Sequence, residues 1–278
     1  MERVAEHPGS QPKTMTGEPQ PVSLLFAEVL LLWSAANYAL SADTTRNGRR
    51  SSFSRNTGKR LAWFILRAAG AAALTVAVAG WWPGILLAGA MLIGCVFLPV
   101  ARRLWVPSRY VAELEVAGNA GFAALAQFLI AHFDLRARWG IVGLPTLETL
   151  IAACMVAAAL LIFVVRGGTF IVRGVLDRAG TMPPLEPAAD LQHAFAIDTV
   201  ELKHGRLIGN IERLILVLFV ANGEFTALAF FFAAKGLIRS KDMERRAWAD
   251  YLILGSLTSL LVAVVAGLLI RAVFAAIP

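Results

Sequence analysis

The chain has 278 residues, of which 58% are hydrophobic and 16% are charged, and its net charge is +7. Soluble domains are usually about 45–50% apolar and about 25% charged, so this composition excludes an ordinary water-soluble domain. The apolar residues lie in blocks of about 20, the length of a helix that crosses a hydrocarbon core of roughly 30 Å. The short alternating segments of a β-barrel do not occur. We therefore predict an all-α, multi-pass helical membrane protein.

The positive charge is concentrated outside the apolar blocks. Residues 41–60 contain six basic residues and one acid, Asp43. Loops on the cytoplasmic side of a membrane are enriched in Lys and Arg, so we expect 41–60 to be a cytoplasmic loop. This bias accounts for the net positive charge without a nucleic acid, and no nucleic-acid partner is predicted.

The first part of the chain is predicted to form a tail and a five-span membrane region, 21–166. Residues 1–20 are polar and contain three prolines, so we expect a disordered tail. Five apolar runs then have about the length of a membrane-crossing helix. These predicted spans are 22–40, 61–80, 84–100, 112–133 and 147–166.

Residues 167–206 are too polar to cross the membrane. Their first part mixes apolar residues such as Phe170 and Leu176 with charged ones such as Arg173 and Asp177. This pattern predicts an amphipathic helix that lies in the cytoplasmic interface, followed by a mixed-charge linker.

The C-terminal region, 207–278, is predicted to contain a helical hairpin and a last span. Residues 207–238 are apolar except for a break at Asn222-Gly223-Glu224 and a few charges. One straight helix of this length would measure about 48 Å, well beyond the core thickness. Basic residues flank both ends, so both ends should face the cytoplasm. We expect a hairpin that turns at Gly223, either re-entrant or a pair of thin spans, and about six full spans in all.

The hairpin carries the candidate intramembrane polar site. Glu212 and Lys235 lie on opposite sides of Gly223 at nearly equal distances along the chain, so a hairpin would bring them to the same depth. A charge in a bilayer costs at least a few kcal/mol unless it is paired or faces a cavity. The candidate residues are Glu212, Arg213, Glu224, Lys235 and Arg239.

Each candidate also has a simpler interpretation. Glu212 can sit at a positive helix N-terminus, while Arg213, Lys235 and Arg239 can reach lipid headgroups as interfacial anchors. Glu224 is a proton or cation site if the hairpin is re-entrant, and a solvated turn residue if the arms cross fully.

Other charged residues are not expected to form a catalytic site. Glu113 and Glu115 are two apart, so they point to different helix faces and fit an interfacial helix start. Glu28 and Arg67 are single charges within spans and are candidates to pair. The four histidines are scattered, and the sequence contains no metal-binding, GxSxG, P-loop or dinucleotide motif. No metal, cofactor or catalytic residue is predicted.

Residues 205–259 contain a spaced set of small, charged and hydroxyl residues. They are Gly205, Arg206, Ile208, Gly209, Glu212, Arg213, Ala234, Lys235, Arg239, Asp250, Tyr251, Gly255, Ser256 and Ser259. This pattern resembles the C-terminal signature of an uncharacterised family of bacterial integral membrane proteins. The resemblance implies a bacterial inner-membrane location and carries no activity.

The leading interpretation is a non-enzymatic protein of the bacterial inner membrane: a transporter-like or pore-like unit, or a membrane assembly partner. Its expected partners are anionic lipid headgroups of the bilayer and either a second copy of this chain or another membrane protein. The alternative is a membrane enzyme that acts on a lipid or polyprenyl substrate at the cytoplasmic face. Such an enzyme should show several acidic or His groups converging at one depth.

Overall fold

The structure is a computed structural model that describes residues 22–39, 57–102, 106–137, 145–182, 199–238, 240 and 246–277. Within these ranges the chain forms α-helices, short helical turns and no β-strand, which confirms the all-α class. The predicted tail 1–20 lies outside the described residues, as do most of the basic loop 41–60 and the linker segment 183–198.

The described residues form eight α-helices. They are α1 Leu24–Ser34, α2 Thr57–Ala79, α3 Trp81–Val100, α4 Val111–His132, α5 Pro145–Arg178, α6 Thr199–Asn222, α7 Phe225–Ile238 and α8 Arg246–Ala275. A π-helical turn, Ala35–Ala39, extends α1, and a 3-10 turn, Ser108–Tyr110, leads into α4. The last four residues of the predicted basic loop, 57–60, already belong to α2.

Three helical segments are long and apolar enough to cross a membrane: Ser108–His132, Pro145–Arg178 and Trp248–Ala275. Four apolar segments are shorter. They are Leu24–Tyr38, Ile65–Ala79, Gly84–Val100 and Phe225–Ile238. Helix length and composition therefore support a membrane protein with three candidate spans, and the number of further crossings belongs to the proposal below.

The fifth predicted span and the first part of the predicted interfacial segment form one continuous helix. Residues 167–178 continue α5, which is 34 residues long and ends at Arg178. The helix continues because its amphipathic part has protein neighbours: Ile171 and Leu176 are buried. Gly174 lies so close to α4 that a Cβ there would be 2.7 Å from the Ala112 nitrogen. Charged residues in this stretch therefore mark a half-buried helix face.

The predicted hairpin is present as a helix break, but its arms are unequal. α6 ends at Asn222, α7 begins at Phe225, and Gly223 between them has a φ of 78°. This left-handed backbone conformation favours glycine. The first arm begins at Thr199, so residues 199–206, predicted as linker, form its first turns. The arms have 24 and 14 residues, where the sequence suggested two of similar length.

Helix α5 lies at the centre, with α1, α4 and α8 packed against it. α2 packs on α3, α6 packs on α8, and α7 packs mainly on α6. Glycines allow two of these close approaches. A Cβ at Gly84 would lie 2.8 Å from Val76 Cα, and one at Gly267 would lie 2.7 Å from Val220 Cβ.

The contacts define two ends of the bundle. We call one of them the Arg102 end. There Ala112, near the start of α4, meets Gly174, and Gly255, in the first half of α8, faces Leu176. The opposite one is the Gly223 end, where the α6–α7 turn lies against Arg271, near the end of α8. Helices α4 and α8 therefore run antiparallel to α5.

Candidate functional site

A buried polar cluster joins α1, α3 and α4 near the Arg102 end. Glu115 on α4 has a fully buried side chain and forms an ion pair with Arg102, which follows α3. The Tyr38 hydroxyl donates to Glu115 Oε2 at 2.6 Å and accepts from Asn119 Nδ2 at 2.6 Å. The Trp33 indole N–H donates to Asn119 Oδ1 at 2.9 Å. We call these five residues the Glu115 cluster.

Two features position the Glu115 cluster. Tyr38 lies in the π-helical turn Ala35–Ala39, and such turns often occur at functional sites because they redirect side chains. The Arg102 guanidinium carbon is 4.0 Å from the centre of the Phe170 ring of α5, a cation–π distance. The cluster therefore ties four helices together through one carboxylate.

The sequence misassigned Glu115. Glu113 and Glu115 point to different faces as predicted, but only Glu113 fits an interfacial helix start, since it is exposed and pairs with Arg178. Glu115 is buried because Arg102 and Tyr38 reach it from other helices. One feature of the sequence pointed to a partner for Glu115: Arg102 directly follows an apolar run. By itself, however, an arginine in that position resembles an interfacial anchor.

A second polar cluster joins α5, α6 and α7. The Arg213 side chain is buried and donates from Nη2 to Thr169 Oγ1 at 2.8 Å and to Asn210 Oδ1 at 2.5 Å. It packs against Gly168, where a Cβ would lie 3.5 Å from Arg213 Cδ, an ordinary van der Waals contact. Its hydrogen-bond acceptors are neutral, unlike those of Arg102.

Glu212 and Lys235 complete this second group, which we call the Arg213 cluster. The Lys235 ammonium donates to Glu212 Oε2 at 2.5 Å, and each side chain is 16% exposed. The turn at Gly223 thus brings together the two charges that the sequence placed at one depth. The cluster consists of Thr169, Asn210, Glu212, Arg213 and Lys235.

The remaining sequence candidates lie elsewhere. Glu224 is exposed at the turn between α6 and α7, at the opposite end of the bundle from the Arg213 cluster. The nearby Arg271 side chain leaves so little room that a Cβ at Gly223 would lie 2.6 Å from its Nη1. Arg239 lies outside the described residues.

The two clusters flank α5 at the same level. Thr169 faces Arg213, while its chain neighbour Phe170 lies under Arg102. Adjacent residues of one helix therefore contact Arg213 and Arg102. This proximity could not be read from the sequence, because α3, α5 and α6 are far apart along the chain.

Glu28 and Arg67, the two single charges within the first spans, form no ion pair with each other. Glu28 is 5% exposed, and neither carboxylate oxygen accepts a hydrogen bond from a described residue. Arg67 is buried on α2 and lies within electrostatic range of Cys95. Among the residues the structure describes, no group of three or more His, Cys, Asp or Glu side chains could hold a metal ion.

The arrangement fixes helices to one another through charged and polar groups. The hydrogen bonds of the Glu115 cluster converge on one carboxylate, and those of the Arg213 cluster hold one guanidinium against α5.

Comparisons with protein-family models, curated proteins and solved structures found no match to this chain.

Proposed function

We propose that this chain is a non-enzymatic, multi-pass protein of the bacterial cytoplasmic membrane that serves as an assembly partner for a second copy or for another membrane protein. The observation that carries the proposal is that the charged side chains of both clusters contact protein partners and are mostly shielded from solvent. The ion-paired side chains are 0–16% exposed. A transport or catalytic site needs charged groups that water or a substrate reaches. Paired charges inside a bundle instead determine which helices associate.

The enzyme alternative would need acidic or His groups that converge on an accessible site. At the Arg102 end, Glu113 pairs with Arg178, and Asp177 accepts a hydrogen bond from Ser108 at 2.5 Å. Glu115 is fully buried. These three carboxylates are therefore engaged with protein partners, which favours the non-enzymatic role, while Asp250 near Thr181 is exposed.

Helix α7 supports the assembly role. None of its residues is buried, and Phe230, Leu237 and Ile238 are 76%, 76% and 83% exposed. Its 14 residues span about 21 Å, less than a hydrocarbon core of roughly 30 Å. A short apolar helix is accommodated by local thinning of the bilayer or by association with another protein. We assign the exposed face of α7 to such a contact.

The proposed topology has six full crossings, α1 to α5 and α8, plus the α6–α7 hairpin, with the Arg102 end in the cytoplasm. Arg102, Arg173 and Arg178 belong to this end, in accord with the positive-inside bias. The turn at Gly223 lies level with Arg271 near the end of α8, so α6 reaches the far side of the membrane. Glu224 is then a solvated turn residue.

Cysteine labelling from outside intact cells tests this topology. In a variant without Cys95 and Cys154, we expect a membrane-impermeant maleimide to label Glu224→Cys and to miss Thr181→Cys and Ser240→Cys. Labelling of Ser240→Cys from outside would show that the hairpin does not return to its starting side. Failure to label Glu224→Cys, when it does label after permeabilisation, would indicate a re-entrant hairpin.

A site-specific photocrosslinker tests the assembly role. Placed at Phe230 or Leu237 on α7, it should give protein adducts of discrete mass in intact membranes. Leu261 on α8 is the matched control, since it is an apolar helix residue with 63% exposure. Adducts of equal yield at Leu261, or proton or salt flux through purified protein in vesicles above that of empty vesicles, would contradict the proposal.

A further inference from the structure

A groove of about 540 Å³ runs along the outside of the bundle between α3 and α4. Its volume is within the range of ligand-binding sites in proteins. One face of α3, from Ile85 to Leu98, forms one wall, and one face of α4, from Leu114 to Leu129, forms the other. Trp33 of α1 also lines the groove. The lining side chains are apolar, so the groove suits a hydrocarbon occupant.

Two glycines, which have no side chain, help to keep this groove open. Gly89 on α3 and Gly121 on α4 both line it, and a Cβ at either position would meet nothing within 4 Å. Trp33 is held in place by stacking on Phe122, with ring centres 3.8 Å apart. Atoms that border a gap lose dispersion contacts, so a hydrocarbon chain in the groove would restore them.

The length of the groove fits one lipid chain. The α3 wall from Ile85 to Leu98 measures about 20 Å at 1.5 Å per residue. One leaflet contributes about half of a hydrocarbon core of roughly 30 Å. The groove therefore matches the reach of an acyl chain and part of its glycerol region, and is shorter than a membrane-spanning helix.

The groove ends near a group of charged residues that includes Arg109 and Arg178 as well as Glu113 and Asp177. Tyr110 ends the 3-10 turn that leads into α4, four residues before Leu114. Its ring centre lies 5.0 Å from the Arg109 guanidinium carbon and 5.8 Å from that of Arg178. Arg178 is paired with Glu113. Arg109 is exposed and forms no ion pair with any residue in the described part of the chain. Its charge is available to an anionic group at the membrane surface.

We propose that the α3–α4 groove binds one acyl chain of an anionic phospholipid, whose phosphate lies beside Arg109 and Tyr110. Arginine binds phosphate through charge-assisted hydrogen bonds, and phenolic rings favour the interface between hydrocarbon and headgroups. The site is separate from the exposed face of α7, so it holds whether or not α7 binds a protein.

The test uses the purified full-length protein and phosphatidylglycerol that carries a photoactivatable diazirine at the end of one acyl chain. Phosphatidylethanolamine with the same chain is the headgroup control. We expect lipid adducts on the walls of the α3–α4 groove. Gly121→Phe fills the groove and should lower their yield about tenfold, the equivalent of about 1.4 kcal/mol. Arg109→Gln should reduce the preference for phosphatidylglycerol about fivefold.

Gly70→Phe is the matched control. Gly70 also lies within a helix with nothing within 4 Å of a Cβ, but it does not line the groove. Gly89→Phe, on the opposite wall, repeats the test if Gly121→Phe fails to fold. Equal adduct yields in the groove-filling and Gly70→Phe variants would overturn the proposal. So would equal labelling by both lipids.

Discussion

The two regions on either side of α5 hold their charged residues in different ways. In the Glu115 cluster, the ion pair with Arg102 is surrounded by contacts from α1, α4 and α5. In the hairpin, α7 packs mainly on α6, where the Glu212–Lys235 pair is partly exposed. Helices in a bilayer gain little from hydrophobic burial, so packing and polar contacts decide whether they associate. The first region is therefore part of the fold, whereas α7 is a separable arm.

The largest expected effect comes from Glu115. Glu115→Met leaves the largely buried Arg102 side chain, which is 14% exposed, without its counter-charge and removes the acceptor of the Tyr38 hydroxyl. Removing one partner of a buried pair typically costs about 3–5 kcal/mol of unfolding free energy. Reversible denaturation in mixed micelles would measure it. Glu113→Met is the control, because its pair with Arg178 is exposed and should contribute at most about 1 kcal/mol. Equal losses of unfolding free energy in the two variants would contradict the distinction between the buried and the exposed ion pair.

A smaller loss is expected where α6 packs on α8. Gly267→Ala would place a Cβ 2.7 Å from Val220 Cβ, and overpacking of this kind costs about 1–3 kcal/mol. The same assay measures the effect. Gly209→Ala on α6 is the control, since a Cβ there meets nothing within 4 Å and alanine favours helix. If Gly267→Ala leaves the unfolding free energy unchanged, α6 is held as loosely as α7.

The ion pair of the hairpin should show a weaker coupling. Removing either charge by Glu212→Gln or Lys235→Met leaves the other partly buried, and the double variant should recover part of the loss. We expect a coupling energy of about 1 kcal/mol, within the range for contacting residues. Thermal stability of the two single variants and the double variant measures it. Additive losses would instead show two independent charges that reach lipid headgroups.

The smallest expected effect is at Glu28. Its carboxylate oxygens accept no hydrogen bond from the described residues, although the side chain is buried. Replacing an unsatisfied buried polar group with an apolar one of similar shape is nearly neutral or stabilising. We therefore expect Glu28→Met to change the unfolding free energy by less than about 1 kcal/mol or to raise it. A loss as large as that of Glu115→Met would reveal a partner for Glu28.

Local sequence patterns predicted the helices and the hairpin contact. Gly223 interrupts an apolar run, and equal spacing from that turn is enough to pair Glu212 with Lys235. Composition likewise indicated an all-α membrane protein, because an apolar block long enough to cross a bilayer satisfies its backbone hydrogen bonds by forming a helix. These features depend on residues that are close along the chain or related by one turn.

The Glu115 cluster and the full length of α5 depend on contacts between distant helices. Nothing near Glu115 in the sequence distinguishes it from Glu113, because Tyr38 and Arg102 come from other helices. Charged residues after Gly168 suggested a helix at the membrane surface. In the structure Gly168 instead contacts Arg213, and Gly174 gives space to the α4 backbone. Such close approaches leave no periodic signal in a single sequence.

The length of α5 has a consequence for the response of the protein to bilayer thickness. Its 34 residues measure about 51 Å, whereas the hydrocarbon core is roughly 30 Å. In the proposed topology the part of α5 beyond the core is its charged end near Arg178, and α5 would tilt where its apolar part does not match the bilayer thickness. Because Thr169 and Phe170 are adjacent on α5, any change of tilt displaces the surroundings of Arg213 and Arg102 together. In the proposed topology, a change in bilayer thickness would therefore act on Arg213 and Arg102 at the same time.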